Sequence, residues 1–197
     1  MRRIVWLVAY VIMASASYGQ APADVPVIKV SQAGSTILFA VKASVSIEGA
    51  FDKWDATLKF TSDHAVDGVL DIKIQAASVN TGSRMKYDKL KGKDFFNSDQ
   101  DPYITFRSTK IVRTDPNTFD VPGTFTIRGV SKPETLKFTG KGARGKGHGE
   151  IKGTMAFDRK EFGMNSGIPF IRIADRVEVN VVLIVDRVSG PPLVFNQ

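Results

Sequence analysis

The 197-residue chain contains no cysteine and only two histidines, His64 and His148. The first absence excludes disulfides, a thiolate nucleophile and any cysteine-ligated zinc site, so packing has to hold the fold. The second leaves no histidine pair at metal-ligand spacing, since each lies alone in a turn-like stretch. There is no G-x-S-x-G elbow, and a Ser-His-Asp relay would have to recruit one of those two loop histidines. Long apolar runs are scarce too. The N-terminal run from Ile4 to Met13 is ten residues long, about half of the roughly 20 that a spanning helix needs.

That run follows Arg2 and Arg3 and precedes small residues, a pattern that predicts a secretory signal over residues 1–19, cleaved after Gly19 or alternatively after Ala16. A membrane anchor is the competing reading. Cleavage removes two arginines, so Lys+Arg falls from 27 to 25 against 20 acidic residues and the formal charge from +7 to +5. Such an excess serves solubility, or draws an exported protein to anionic headgroups and phosphorylated amphiphiles. With no recognition motif, nucleic acid is not an expected partner.

What is present in quantity is hydrophobic residues, 43% of the chain with 13 Phe, enough for one domain with a substantial core. After a Pro-marked linker at 20–26, strand-like runs succeed one another at 35–43, 45–51, 56–60, 69–74, 103–112, 118–127, 134–140, 150–157 and 177–185. In "DIKIQA" Ile72 and Ile74 point one way while Asp71 and Lys73 point the other, the period of two of a half-buried strand. Val121, Gly123, Phe125 and Ile127 repeat it, as do Ile151, Gly153, Met155 and Phe157. Turn formers separate the runs, and connections this short favour antiparallel hairpins. Eight or nine such strands close into a barrel or stack as a sandwich. An integral outer-membrane barrel fits poorly, because several runs are shorter than the roughly 9–11 residues that cross a bilayer.

One segment breaks the alternation, "MKYDKLKGKDFFNSDQDP" at 85–102. Thr81 and Ser83 offer helix N-caps, no Gly or Pro interrupts Arg84 to Lys91, Tyr87 and Leu90 share a face, and Gly92 ends the turn. Phe95 and Phe96 follow, and burial of each ring is worth roughly 1.5–3 kcal/mol. The segment is expected to be a short helical lid with its lysines in water and its rings in the core.

Other patterns imitate chemistry. Gly140 to Gly147 nearly spells a phosphate-binding loop, but Gly147 stands where Ser or Thr should hold magnesium and a strand follows in place of a helix. Asn97, Asp99 and Asp101 have calcium-loop spacing without the glycine at the sixth position or the glutamate at the twelfth. Asp158, Glu161 and Asp175 offer acid–base pairs of a kind that surface solvation explains.

Three blocks, "ASVNTGSRMKYDKLKGKDFFNSDQDPYITFRST" (77–109), "VPGTFTIRGVSKPETLKF" (121–138) and "FDRKEFGM" (157–164), together with "STILFAVKA", resemble in order and spacing the signature of the YceI-like polyisoprenoid-binding proteins of bacteria. The resemblance covers residues 27–187, leaving a tail at 188–197. Leu90, Phe95, Phe96, Phe106, Phe157, Gly129, Pro133, Arg159, Phe162 and Gly163 match the family pattern. The chain departs from it at Ala43, where many relatives carry histidine, and at Lys86, Tyr87, Asp88 and Lys89, where the helix often reads Arg-Asp-x-His. No polar contact is carried over to those positions.

The resemblance implies an all-β fold, an antiparallel eight-stranded lipocalin-like barrel with one or two short helices near its opening. It also implies export to the periplasm, no cofactor and no catalysis. The expected partner is a long-chain isoprenoid or similar amphiphilic lipid in the lumen, with transient contact with a membrane surface and a homodimer as further expectations. Candidate wall residues are Phe39, Val41, Phe51, Leu58, Phe60, Ile72, Phe106, Phe125 and Phe157. Leu90, Phe95 and Phe96 form the lid, and Lys42 and Arg159 are candidates to meet a charged headgroup. Gly123 and Gly153 are compatible with an open lumen or with strand curvature. Two alternatives stand beside this reading: an enzyme using Asp158 or Asp175 for proton transfer, and a fully packed structural or interaction barrel. The C-terminal stretch reads equally as a loose tail or as one that docks through Leu193 and Phe195.

Overall fold

The computed structural model describes residues 25–44, 47–142, 147–167 and 172–194. The signal expected at 1–19, most of the linker, the start of the run at 45–51, the tip of the basic hairpin at 143–146 and Phe195 lie outside the described residues.

The described strands are β1 Val27–Ala43, β2 Ile47–Phe51, β3 Trp54–Phe60, β4 Gly68–Gln75, β5 Val79–Asn80, β6 Tyr103–Ser108, β7 Val112–Asp115, β8 Thr118–Ile127, β9 Val130–Gly142, β10 His148–Asp158 and β11 Ile173–Ser189. One helix, α1 Arg84–Lys91, lies between β5 and β6. The sheet runs β3-β4-β6-β8-β9-β10-β11-β1-β2-β5, with β7 added to β8, and its ladders are antiparallel. The stretch from β3 to β1 contains eight strands. It curls until β1 returns against β3, where the Gln32 amide donates to the Trp54 carbonyl. This is the expected all-β barrel architecture, with the short β2, β5 and β7 as additions.

Some boundaries differ from expectation for identifiable reasons. The run at 103–112 is two strands, because Pro122 opposite it presents a carbonyl and no N–H. Thr109 donates both its N–H (2.9 Å) and its hydroxyl (3.1 Å) to that carbonyl, and the ladder resumes only at Val112. β1 begins at Val27 because a bulge between Ser31 and Thr36, with Gly34 at φ 81°, lets the pairing with β11 continue past an interruption in the alternation.

The interior is lined by the period-two residues, with Leu70, Val121 and Leu183 fully buried. A recurring device fills it. A Cβ placed on Gly153 would sit 2.4 Å from the ring of Phe138, its cross-strand partner, and one on Gly49 would sit 2.7 Å from the ring of Phe39, also its partner. At Gly123 the Cβ would meet the Phe106 ring at 2.7 Å and the Arg107 carbonyl oxygen at 2.4 Å. The inward glycines of β8 and β10 therefore make room for phenylalanine rings, which occupy the space above them, so neither an open lumen nor strand curvature alone accounts for their small size. Gly153→Ala should overpack this contact and lower stability by about 1–3 kcal/mol. A urea midpoint unchanged from the parent would show that Phe138 can step aside freely.

Candidate functional site

The lid is built locally. Ser83 takes the N-cap position but makes no side-chain cap, and Thr81 spends its hydroxyl on the Ser83 carbonyl at 3.1 Å, so neither expected cap acts through its side chain. Helix α1 instead gains surface support from Lys91, whose ammonium lies 4.0 Å from the centre of the Tyr87 ring. Gly92 ends the helix in an extended conformation. A tight turn follows in which Phe96 N–H donates to the Leu90 carbonyl at 2.9 Å, and the "NSDQD" stretch closes it through Asp101 N–H on the Asn97 carbonyl and the Asn97 amide on the Asp101 carboxylate at 3.0 Å. Leu90, Phe95 and Phe96 are thereby driven inward and buried. The Phe96 ring packs edge-on against Phe39 at 6.1 Å and tilted against Phe51 at 5.6 Å.

Two arginines fasten this end of the barrel. Arg128 occupies the two-residue β8–β9 turn with φ 54°, and its guanidinium donates to the Lys93 carbonyl of the lid at 2.9 Å and to the Gly163 carbonyl of the turn after β10. Arg159, only 6% exposed, donates to the carbonyls of Ala174 (3.2 Å), Ser166 (3.0 Å) and Met164 and to the Asp175 carboxylate (3.1 Å). Four of its five N–H groups are committed to protein acceptors, so it clamps the chain between β10 and β11. Lys42 is exposed, and the alternation along β1 places it on the opposite face from the buried Phe39 and Val41.

Two apolar cavities occupy opposite ends of the barrel. The first, of about 70 Å³, lies beneath the lid and is bordered by Phe39, Val41, Phe51, Phe125, Phe157 and the lid residues Leu90, Phe95 and Phe96, with Arg159 at its edge. The second, of about 90 Å³, lies at the other end and includes Leu58 and Phe60. Ile72 and Phe106 border neither cavity and belong to the layer that separates them. The sequence thus named eight residues of the first cavity's apolar wall and two of the second.

Other wall residues were missed. Ile37 sits two residues before Phe39 in the same strand, and Ile104 two before Phe106, so the same alternation could have found both. Phe119 and Phe138, a directly paired couple, border the second cavity. Leu193 of the tail borders it as well, and no strand periodicity points to it.

Asp158 and Asp175, the two carboxylates named as acid–base candidates, are engaged in a turn cap and in ion pairs. Asp158 accepts from Lys160 N–H at 2.8 Å, capping the short turn Arg159–Phe162. Asp175 is held below the ordinary aspartate range, first by Lys160 and then by Arg159. Glu134, half-buried, has its carboxyl pushed up by burial and by the neighbouring Glu161, and it borders neither apolar cavity. A raised folded-state value means that Glu134 favours folding fully below its unfolded pKa, and that this contribution is lost as pH rises through the folded value. Glu134→Gln should therefore raise the thermal midpoint at neutral pH and lose that advantage below the ordinary glutamate range. Calorimetry across pH checks it, and an equal or lower midpoint at neutral pH would refute the assignment.

A family model described as the YceI-like domain matches residues 29–185. The chain is 29% identical over 133 residues to a protein of Pseudomonas syringae pv. syringae described as UPF0312, a match spanning 66% of this chain and 69% of that one. Its fold is similar to the crystal structure of Burkholderia cenocepacia BcnA, with a TM-score of 0.71 and 29% identity over 79% of this chain and 99% of the other. It is also similar to a polyisoprenoid binding domain from Saccharophagus degradans, with a TM-score of 0.62, covering 82% of this chain and 99% of that domain; at 13% identity this likeness concerns the fold alone.

Proposed function

The chain belongs to the YceI-like family, and on that premise we propose that it is a non-catalytic binding protein that shelters the hydrocarbon tail of a long-chain isoprenoid or similar amphiphilic lipid inside its barrel. The observation that carries the reading is the lid: a helix and a pair of buried phenylalanines close an apolar-walled cavity at one end of a barrel whose axis leads to a second such cavity. The neighbour described as a polyisoprenoid binding domain shows that a barrel of this fold is compatible with that ligand class. Export to the periplasm, supported by the signal-like N-terminal sequence, would place the protein between membranes that contain such lipids.

Cavities of about 70 and 90 Å³ are well short of the roughly 300–1,000 Å³ of a typical ligand site. This is the closed state of the lumen, and the space for a ligand comes from rotating the rings that lie over glycines, which have no side chain of their own to obstruct the path. A polar head stays at the lid end, beside the exposed Arg84 and Lys93 and the half-buried Lys91.

Native mass spectrometry of the mature protein, followed by titration with farnesol and longer prenols, tests the reading. Each buried methylene contributes about 0.8 kcal/mol, so a few isoprene units suffice for micromolar binding. Only apo mass and no saturable binding of any prenol would overturn it. Such a result would favour a second reading, a packed barrel with a structural or interaction role, which the rings filling the space over Gly123 and Gly153 support.

A further inference from the structure

At the end of the barrel opposite the lid, the chain's own tail lies along the rim of the second cavity. After β11 the chain reverses at Gly190, φ 79°, where a Cβ would lie 2.3 Å from the Val25 carbonyl oxygen, so only glycine fits the turn. The Arg187 guanidinium holds the Gly190 carbonyl. Four residues on, Val194 is pinned by two backbone hydrogen bonds, its N–H to the Asp63 carbonyl at 2.7 Å and its carbonyl from Ala65 N–H at 3.0 Å, and makes a parallel bridge with His64. Between these two anchors the half-buried Leu193 borders the second cavity beside Phe60, Ala65 and Ile151.

The two cavities lie in series. Along β11 the wall passes from Val179 at the first to Val185 at the second, six residues or about 20 Å of strand. Along β8 it passes from Phe125 to Phe119, and along β10 from Phe157 to Ile151. The layer between them includes Ile72, Phe106, Leu136, Met155 and Val181, all buried and all apolar. The one polar side chain on the inward face of β6 is Ser108, buried beyond Phe106 with its hydroxyl accepting from Leu70 N–H at 2.8 Å, so a hydrocarbon that parts this layer otherwise meets apolar groups before it reaches Leu193.

We propose that Leu193 is the floor of the lumen and sets the longest hydrocarbon tail the barrel accepts. The inference rests on the reading that a lipid tail enters from the lid end. The floor is a strap fastened at two points and not a strand of the barrel, so changing its side chain alters the depth of the lumen without disturbing the sheet.

The test is a length series of linear prenols, geraniol, farnesol, geranylgeraniol and solanesol, titrated into the full mature protein by calorimetry. In the parent, affinity rises by about fourfold for each further methylene buried and then levels off at one length. Leu193→Ala should move the plateau to a longer prenol, with at least about a tenfold gain for the first prenol beyond the parent's plateau and no change for shorter ones. Leu193→Trp should move it the other way, and because Leu193 is half-buried both variants are expected to fold. If prenols bind but the plateau is the same in all three proteins, Leu193 is not the floor and the binding reading survives. If no prenol binds the parent, the binding reading fails and the floor fails with it.

Discussion

Replacing Phe162 with alanine should destabilise the protein by about 3–5 kcal/mol, the cost of removing a fully enclosed ring and leaving a cavity behind. Phe162 is 0% exposed. Its ring meets Phe125 at 5.4 Å and Phe157 at 5.2 Å, both edge-on, and those two rings lie 5.1 Å apart, so the three form a closed cluster at the edge of the first cavity. The residue is delivered there by one short turn, Arg159–Phe162, capped at its start by the Asp158 carboxylate and at its end by Gly163 in the left-handed conformation, φ 75°. The turn is fixed at both ends and cannot collapse to fill the hole. Chemical denaturation with coincident fluorescence and circular dichroism transitions measures the loss, and a value below about 1 kcal/mol would mean that the site relaxes far more than its packing implies.

The contrast between Phe162 and the strand residues shows what a sequence exposes. β8 was legible to its ends at Thr118 and Ile127, because ten residues alternate without a break. Helix α1 was legible at Arg84–Lys91 because nothing in it opposes a helix and Gly92 follows. Phe162 obeys neither period: its burial depends on a turn whose capping partners lie on either side of it and whose packing partners come from β8 and β10. Gly123 and Gly153 were visible as inward and small, but whether a small residue faces a void or a ring depends on the rotamer of Phe106 or Phe138 on a neighbouring strand. Leu193 depends on two backbone hydrogen bonds to residues 63 and 65, more than a hundred positions earlier. Its apolar character in the tail was visible in the sequence, but the place where it docks was not.

Arg159 shows the same limit and supplies the other large effect. Its position in "FDRKEFGM" marked it as a cation near the mouth, suited to a headgroup, whereas in the fold it is buried and its guanidinium meets three carbonyls and one carboxylate. Those acceptors come from residues 164, 166, 174 and 175, brought together only when the chain after β10 has folded back into β11. Arg159→Met should lower stability by about 3 kcal/mol or more, because it strands at least two acceptors at about 1–3 kcal/mol each. Asp175 is 38% exposed, so the ion pair itself adds little. Arg159→Lys should recover only a minor part, since a single ammonium cannot reproduce a planar fork directed at four oxygens. A headgroup role predicts a different pattern: near-normal stability in the lysine variant and a selective loss of affinity for prenyl phosphates over the corresponding alcohols. Denaturation midpoints together with the phosphate-to-alcohol affinity ratio separate the two. The clamp predicts that the midpoint falls while the ratio stays, and a stable lysine variant with an altered ratio would return Arg159 to the ligand.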